Sequence, residues 1–413
     1  MASMRALFYR LLRSSERFFG TDMVYAGTGG LWLTGGQFAT TLLAFVLAVA
    51  LANFLEPEKY GNYKYILSLA DVIGVFTLTG LTTAVTRAAA RGCDGSLGTA
   101  FKRSLTWSIS MLVIAGALGA YYLTQGNALL GIGLLVIGAT MPLIVAASLY
   151  RPFLMGRGEF KWGALGGILQ NGVPLLAVLT TVFFTDSVLA LIAAYFVSNL
   201  LVVTLLYRLA MRMARNREQD PAMVGLGNHL SVMGIISTIA SQFDSILVFQ
   251  SLGGAALAAF SLATAIPDVI RGTFKNVDAL AMPKFAGKSK EEMKRAVWSK
   301  FPVLLFMTLA IGTAYALAAP YLFSLFFPAY MSAVPLSQVY ALILPLSFML
   351  ASAYFDSQAA VKERYILNIF NSTTRIGFTL IGIYFFGLWG AIAGRLVSRF
   401  FNVLLSAYLI ARH

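Results

Sequence analysis

The sequence predicts an all-α integral membrane protein, with twelve transmembrane helices in two parallel repeats of six and both termini in the cytoplasm. Three observations predict it. Of 413 residues, 58% are hydrophobic and only 12% are charged, the latter about half the share in soluble domains. The chain divides into twelve mostly apolar stretches of about 20 residues, the length needed to cross a bilayer. The basic residues cluster in alternate turns between those stretches, as the positive-inside rule demands.

The stretches lie near 30–54, 62–84, 103–124, 128–149, 162–184, 187–207, 229–250, 254–274, 301–319, 335–356, 366–386 and 388–410. Their apolar runs are continuous and do not alternate, which argues against a β-barrel. In residues 1–27, Leu7, Phe8, Leu11, Leu12, Phe18 and Phe19 are interleaved with Arg5, Arg10, Arg13 and Arg17. That pattern predicts a short basic amphipathic helix on the cytoplasmic membrane surface, not a signal peptide. Residues 28–210 are expected to form a first lobe (spans one to six), 211–228 a cytoplasmic linker, and 229–413 a second lobe (spans seven to twelve). Pro142, Pro174, Pro267 and Pro345 interrupt spans where kinks are expected.

With the N-terminus inside, 26 of the 31 Lys and Arg residues fall on the cytoplasmic side. Only Lys59 and Lys64 fall outside, and Arg375, Arg395 and Arg399 lie within spans. A missed or extra span would scramble this alternation. The net charge of +14 therefore reports orientation and requires no nucleic-acid partner. Cys93, the only cysteine, sits in a cytoplasmic loop and excludes an intrachain disulfide.

An internal repeat supports the halves. Residues 190–210 and 390–410 align at an offset of 200 with seven identities in 21 positions, and 55–73 aligns with 252–270 at an offset of 197, pairing Asp71 with Asp268. Six spans per repeat is an even number, so both halves keep one orientation. Parallel repeats of this kind are typical of transporters. Small-residue pairs at Gly163/Gly167, Ala190/Ala194 and Gly390/Gly394 suit close helix packing in lipid.

Enzymatic function is not expected. Outer loops are short, no P-loop occurs, and two histidines (His229 and His413) leave little material for a metal or His-based centre. The Asn371-Ser-Thr sequon lies on the cytoplasmic side, where glycosylation does not occur. No cofactor is expected.

The turn Leu55 to Tyr63, with its Tyr60-Gly61-Asn62-Tyr63 element, resembles the opening of the Wzx-type lipid-linked oligosaccharide flippases of the multidrug/oligosaccharidyl-lipid/polysaccharide (MOP) superfamily. Gly80, Leu81 and Arg87 fit as well, as does the segment Phe153 to Phe160 after the fourth span. The seventh span, with Gln242 and Asp244, resembles the start of that family's second lobe. The resemblance implies two lobes around a central cavity open to one side at a time. It also implies alternating-access transport of a polyprenyl-diphosphate-linked oligosaccharide for cell-surface, O-antigen-like polysaccharide. The setting implied is a bacterial inner membrane, with the bilayer, the lipid-linked glycan and other polysaccharide-assembly membrane proteins as partners. The coupling ion, proton or sodium, is not legible. The alternative is a cation-coupled multidrug antiporter of the same superfamily. Its usual first-span acid is missing here, where Gln37 is the polar residue. A non-transporting scaffold is a third reading, but it gains nothing from charges placed inside spans.

Those charges are the candidate site. Each costs roughly 2.5–3.5 kcal/mol at a span centre. They are Asp71, Asp244, Asp268, Arg375, Arg395 and Arg399, joined by Gln37 and Gln242 as polar cavity candidates. Arg395 and Arg399 are spaced i, i+4 and share a helix face. Guanidinium groups bind phosphate oxygens in a bidentate fork, so arginines in a wet cavity suit a diphosphate headgroup. Three Asp and three Arg can equally neutralise each other as structural ion pairs. Lys64, Arg87 and Arg271, near span ends, are gate candidates or topology anchors.

Overall fold

The computed structural model describes residues 23–285, 289–347, 354–355 and 361–412, and the N-terminal segment up to residue 22 lies outside them. The described residues are helical, with no strand among them. The helices are α1 (Met23–Phe54), α2 (Pro57–Gly74), α3 (Leu81–Ala90), α4 (Ser96–Trp107), α5 (Ile109–Thr124), α6 (Ala128–Ala147) and α7 (Tyr150–Gly156). Next come α8 (Phe160–Phe184), α9 (Val188–Met213), α10 (Met223–Leu252), α11 (Gly254–Phe285), α12 (Lys290–Phe326), α13 (Val334–Tyr340) and α14 (Val361–Arg412). Among the described residues, nine helical stretches are long and apolar enough to cross a membrane.

Three stretches depart from the continuous spans the sequence predicts. The second is broken between Gly74 and Gly80, where Thr77 Oγ1 donates to the Gly74 carbonyl at 2.6 Å. A hydroxyl that bonds nearby backbone competes with the helix ladder, and glycine at either end removes the resistance. Gly80 is needed there, because a Cβ would sit 2.6 Å from the Ser231 amide. The third span pauses at Ser108, between α4 and α5. The tenth, as far as residue 347, is short pieces: α13 is followed by 3-10 turns at Ala341–Ile343 and Pro345–Ser347, where Pro345 has no backbone N–H to bond back to residue 341. By contrast, α6 and α8 continue through Pro142 and Pro174.

The turn predicted between the last two spans is present. α14 reverses at Gly387, with φ 56° and ψ −131°, backbone angles that only glycine adopts readily. Its two arms meet at Gly382 and Gly390, where a Cβ on either would overlap the other's backbone. Phe378 stacks on Phe401 farther along, with ring centroids 5.5 Å apart.

Packing divides the chain into two compact units: Met1–Ala48 with Ile73–Gly234, and Val49–Val72 with Ile235–His413. The last six residues of α1 and most of α2 therefore group with the later helices, although the sequence repeat assigns them to the first lobe.

In the first unit, α5 and α6 approach through glycine, with a Cβ on Gly138 coming 3.0 Å from that of Ala115. The non-helical segment 214–222 is stitched to the turn after α3. Buried Asp94 pairs with Arg157 at 3.2 Å and accepts from the Arg215 amide at 2.7 Å. Asn216 donates to the Gly92 carbonyl at 2.7 Å, and the Asp220 amide donates to Ser96 Oγ at 2.9 Å. The sequence reads this segment as an ordinary basic linker, yet its Asn and Asp side chains are structural. A cavity of about 350 Å³ lies beside these ties.

In the second unit, the α1–α2 turn is bound to the α10–α11 turn. Glu58 accepts from the amides of Gly254 (3.1 Å) and Ala255 (2.8 Å), capping α11, as carboxylates do at helix N-termini. Gly61 abuts Gly254 so closely that a Cβ would overlap the Gly254 backbone. Tyr65 stacks flat on Phe249 at 3.8 Å, and Asn53 donates to the Phe326 carbonyl at 2.7 Å.

Candidate functional site

The site grows out of the α14 hairpin. Arg375 lies on its first arm, twelve residues before Gly387, and Arg395 on its second, eight residues after. The tight glycine crossing lets both guanidinium groups converge on one carboxylate, Asp244 of α10. Arg375 donates to Asp244 Oδ2 from Nε at 2.9 Å and from Nη2 at 2.7 Å, and Arg395 Nε donates to the same oxygen. The Asp244 side chain has 0% exposure, against 23% for Arg375 and 10% for Arg395. A carboxylate this deep is tolerable only when paired. Packing charges this way means that Asp244 fixes both arginines from behind.

Arg395 has further partners. Its guanidinium lies 4.5 Å from the Phe260 ring centroid, a cation–π contact. Its Nη1 is 3.7 Å from Asp268 Oδ2 on α11 and 3.4 Å from the Tyr340 hydroxyl at the end of α13. Asp268 Oδ1 accepts from Tyr340 OH at 3.1 Å and pairs with Arg271 Nη2 at 3.1 Å. Asp268 is 33% exposed. In front of it opens a cavity of about 210 Å³, lined by Asp268 and by Arg271, Arg375, Arg395 and Arg399, with Tyr340, Asn371 and Ser398 among its polar walls. Arg395 and Arg399 share this wall, as their i, i+4 spacing predicts. Four guanidinium groups line the cavity, and Asp268 is the carboxylate among its lining residues.

The remaining sequence candidates lie elsewhere. Gln242 Nε2 donates to Asp71 Oδ2 at 2.7 Å, so these two form their own pair between α10 and α2. Lys64, two helical turns before Asp71, lies 5.5 Å from the Tyr60 ring centroid. Gln37 on α1 and Arg87 on α3 are exposed and belong to the first unit. Sequence reasoning missed Tyr340 and Phe260, because a tyrosine or phenylalanine in an apolar span carries no distinguishing signal. Asn371 and Ser398 were visible only as part of a sequon and a repeat.

A model of the polysaccharide biosynthesis protein family matches residues 26–275. Among the curated proteins there is no match. Solved structures share the fold. The lipid II flippase MurJ, in an inward closed conformation, is 13% identical with a TM-score of 0.72, covering 92% of this chain and 87% of that one. An inward-facing multidrug resistance MATE family transporter of the MOP superfamily is 17% identical with a TM-score of 0.68, covering 90% and 94%. A MOP superfamily transporter from Pyrococcus furiosus is 16% identical with a TM-score of 0.58, covering 91% and 92%. With its apolar helices and this architecture, the chain is a multi-pass membrane protein with a MOP-type transporter fold, and it belongs to the polysaccharide biosynthesis protein family.

Proposed function

We propose that the protein is a flippase that moves a polyprenyl-diphosphate-linked oligosaccharide from the cytoplasmic to the outer leaflet of a bacterial inner membrane. In this reading twelve spans form two lobes of six, with both termini in the cytoplasm, and work by alternating access. The lipid tail stays in the bilayer while the diphosphate and sugars cross. The glycan is then available on the outer side for assembly into an O-antigen-like surface polysaccharide.

The observation that supports the reading is the convergence of four guanidinium groups, those of Arg271, Arg375, Arg395 and Arg399, on one cavity of about 210 Å³. A diphosphate linking lipid to sugar bears two negative charges, one on each phosphate. Guanidinium groups replace its lost hydration with charge-assisted hydrogen bonds. Arg375 and Arg395, fixed by Asp244, form a preorganised floor. Arg271 and Arg399 close the ring from α11 and the second arm of α14. A cavity meant for cationic drugs has no use for four arginines, which disfavours the antiporter alternative.

Arg399 tests this. Arg399→Ala is expected to lower glycan export about tenfold or more per molecule of protein in the membrane. Arg399→Lys is expected to restore it only in part, since an ammonium lacks the planar fork. Export and abundance are measured together in the same cells. Normal export from Arg399→Ala at normal abundance contradicts the role.

A further inference from the structure

The two carboxylates of the cavity stand in different places. Asp244 lies behind the arginines, with 0% exposure, and is not part of the cavity wall. Asp268 lies in front of them, one-third exposed and facing the cavity. It is ion-paired with Arg271 at 3.1 Å, accepts a hydrogen bond from Tyr340 and lies 3.7 Å from the Arg395 guanidinium. The two guanidinium groups, Arg271 and Arg395, are the donors that a phosphate in the cavity needs, because carboxylate and phosphate oxygens engage a guanidinium in the same way.

The geometry points to Asp268 as an internal counter-ion that occupies the anion site when it is empty and competes with the transported headgroup for Arg271 and Arg395. This inference rests on the diphosphate reading above. A bound phosphate must displace Asp268 from these donors, so the apparent affinity is the intrinsic affinity multiplied by the fraction of sites in which Asp268 has swung aside. That loss serves a transporter. A site that holds its cargo too tightly cannot release it on the other side. When the cargo leaves, Asp268 reoccupies the donors, so no bare guanidinium cluster is left behind. Asp244 cannot play this part, since it has no access to the cavity and its loss would free the arginines it anchors.

The assignment predicts a signature that a structural role does not produce, namely tighter binding with slower export. Purified wild-type protein and the variants are titrated with farnesyl diphosphate at fixed ionic strength, with farnesol as the control that lacks the phosphates. Asp268→Asn is expected to bind farnesyl diphosphate about tenfold more tightly than wild type and to export glycan more slowly. Tyr340→Phe, which removes one donor that holds Asp268 and keeps the ring, is expected to tighten binding about two- to threefold. It also keeps the test decisive if Asp268→Asn does not fold. Binding that is unchanged or weaker in the variant that folds, while wild type binds farnesyl diphosphate above farnesol, overturns the role of Asp268 and leaves the flippase reading standing. If wild type and both variants bind farnesyl diphosphate no better than farnesol, the diphosphate reading fails, and this inference with it.

Discussion

Asp244→Ala is expected to lower stability by about 3–5 kcal/mol, the cost of breaking a buried ion pair from one side. The side chain has no exposure, and it is the shared partner of Arg375 and Arg395. Its loss leaves two guanidinium groups facing each other across the α14 hairpin. Arg375→Ala is expected to be milder, because Asp244 keeps Arg395. The double variant Asp244→Ala with Arg375→Met is expected to recover part of the loss, a non-additivity typical of groups in one network. Membrane abundance and the thermal midpoint of the purified protein check this. A midpoint for Asp244→Ala within a degree or two of wild type contradicts the anchoring role.

Gly390→Ala and Gly61→Ala are expected to destabilise by about 1–3 kcal/mol or more, the range for overpacking a close contact. At both positions the new Cβ meets backbone, that of Gly382 and Gly254 respectively, and backbone on a packed helix has little room to yield. Gly377→Ala, on the same α14 helix, is the control. A Cβ there has open space around it, so the change is expected to be neutral or to stabilise by about 0.5–1 kcal/mol through helix propensity. Thermal midpoints of the three variants, measured side by side, decide. Equal effects at positions 377 and 390 contradict the close crossing that brings Arg375 and Arg395 together.

The apolar helices of the fold were legible in the sequence because membrane helices obey a length rule. The turn at Gly387 falls between predicted stretches, and the i, i+4 pair Arg395 and Arg399 reaches one cavity wall as its spacing requires. What the sequence hid was partner choice. Asp71, Asp244 and Asp268 all lie within apolar runs, but only packing decides that Asp244 takes two arginines while Asp71 takes Gln242. The break at 75–80 was hidden as well, because threonine and glycine in an apolar run read as span. The same holds for residues 49–72, whose grouping with the later helices depends on Glu58, Gly61 and Tyr65 meeting the α10–α11 turn. Those contacts join residues nearly 200 positions apart, and no local pattern announces them.

The proposed function requires the arginine-lined cavity to recognise a diphosphate headgroup. Its most direct test is flipping in proteoliposomes that contain only this protein. A polyprenyl-diphosphate oligosaccharide and a neutral polyprenyl glycoside of the same chain length are placed in the inner leaflet. Their appearance outside is read with an added glycosidase. Wild type is expected to move the diphosphate-linked lipid much faster than the neutral one, and Arg271→Ala with Arg399→Ala is expected to remove this preference. Equal rates for the two lipids, or a preference that survives loss of both arginines, would contradict it.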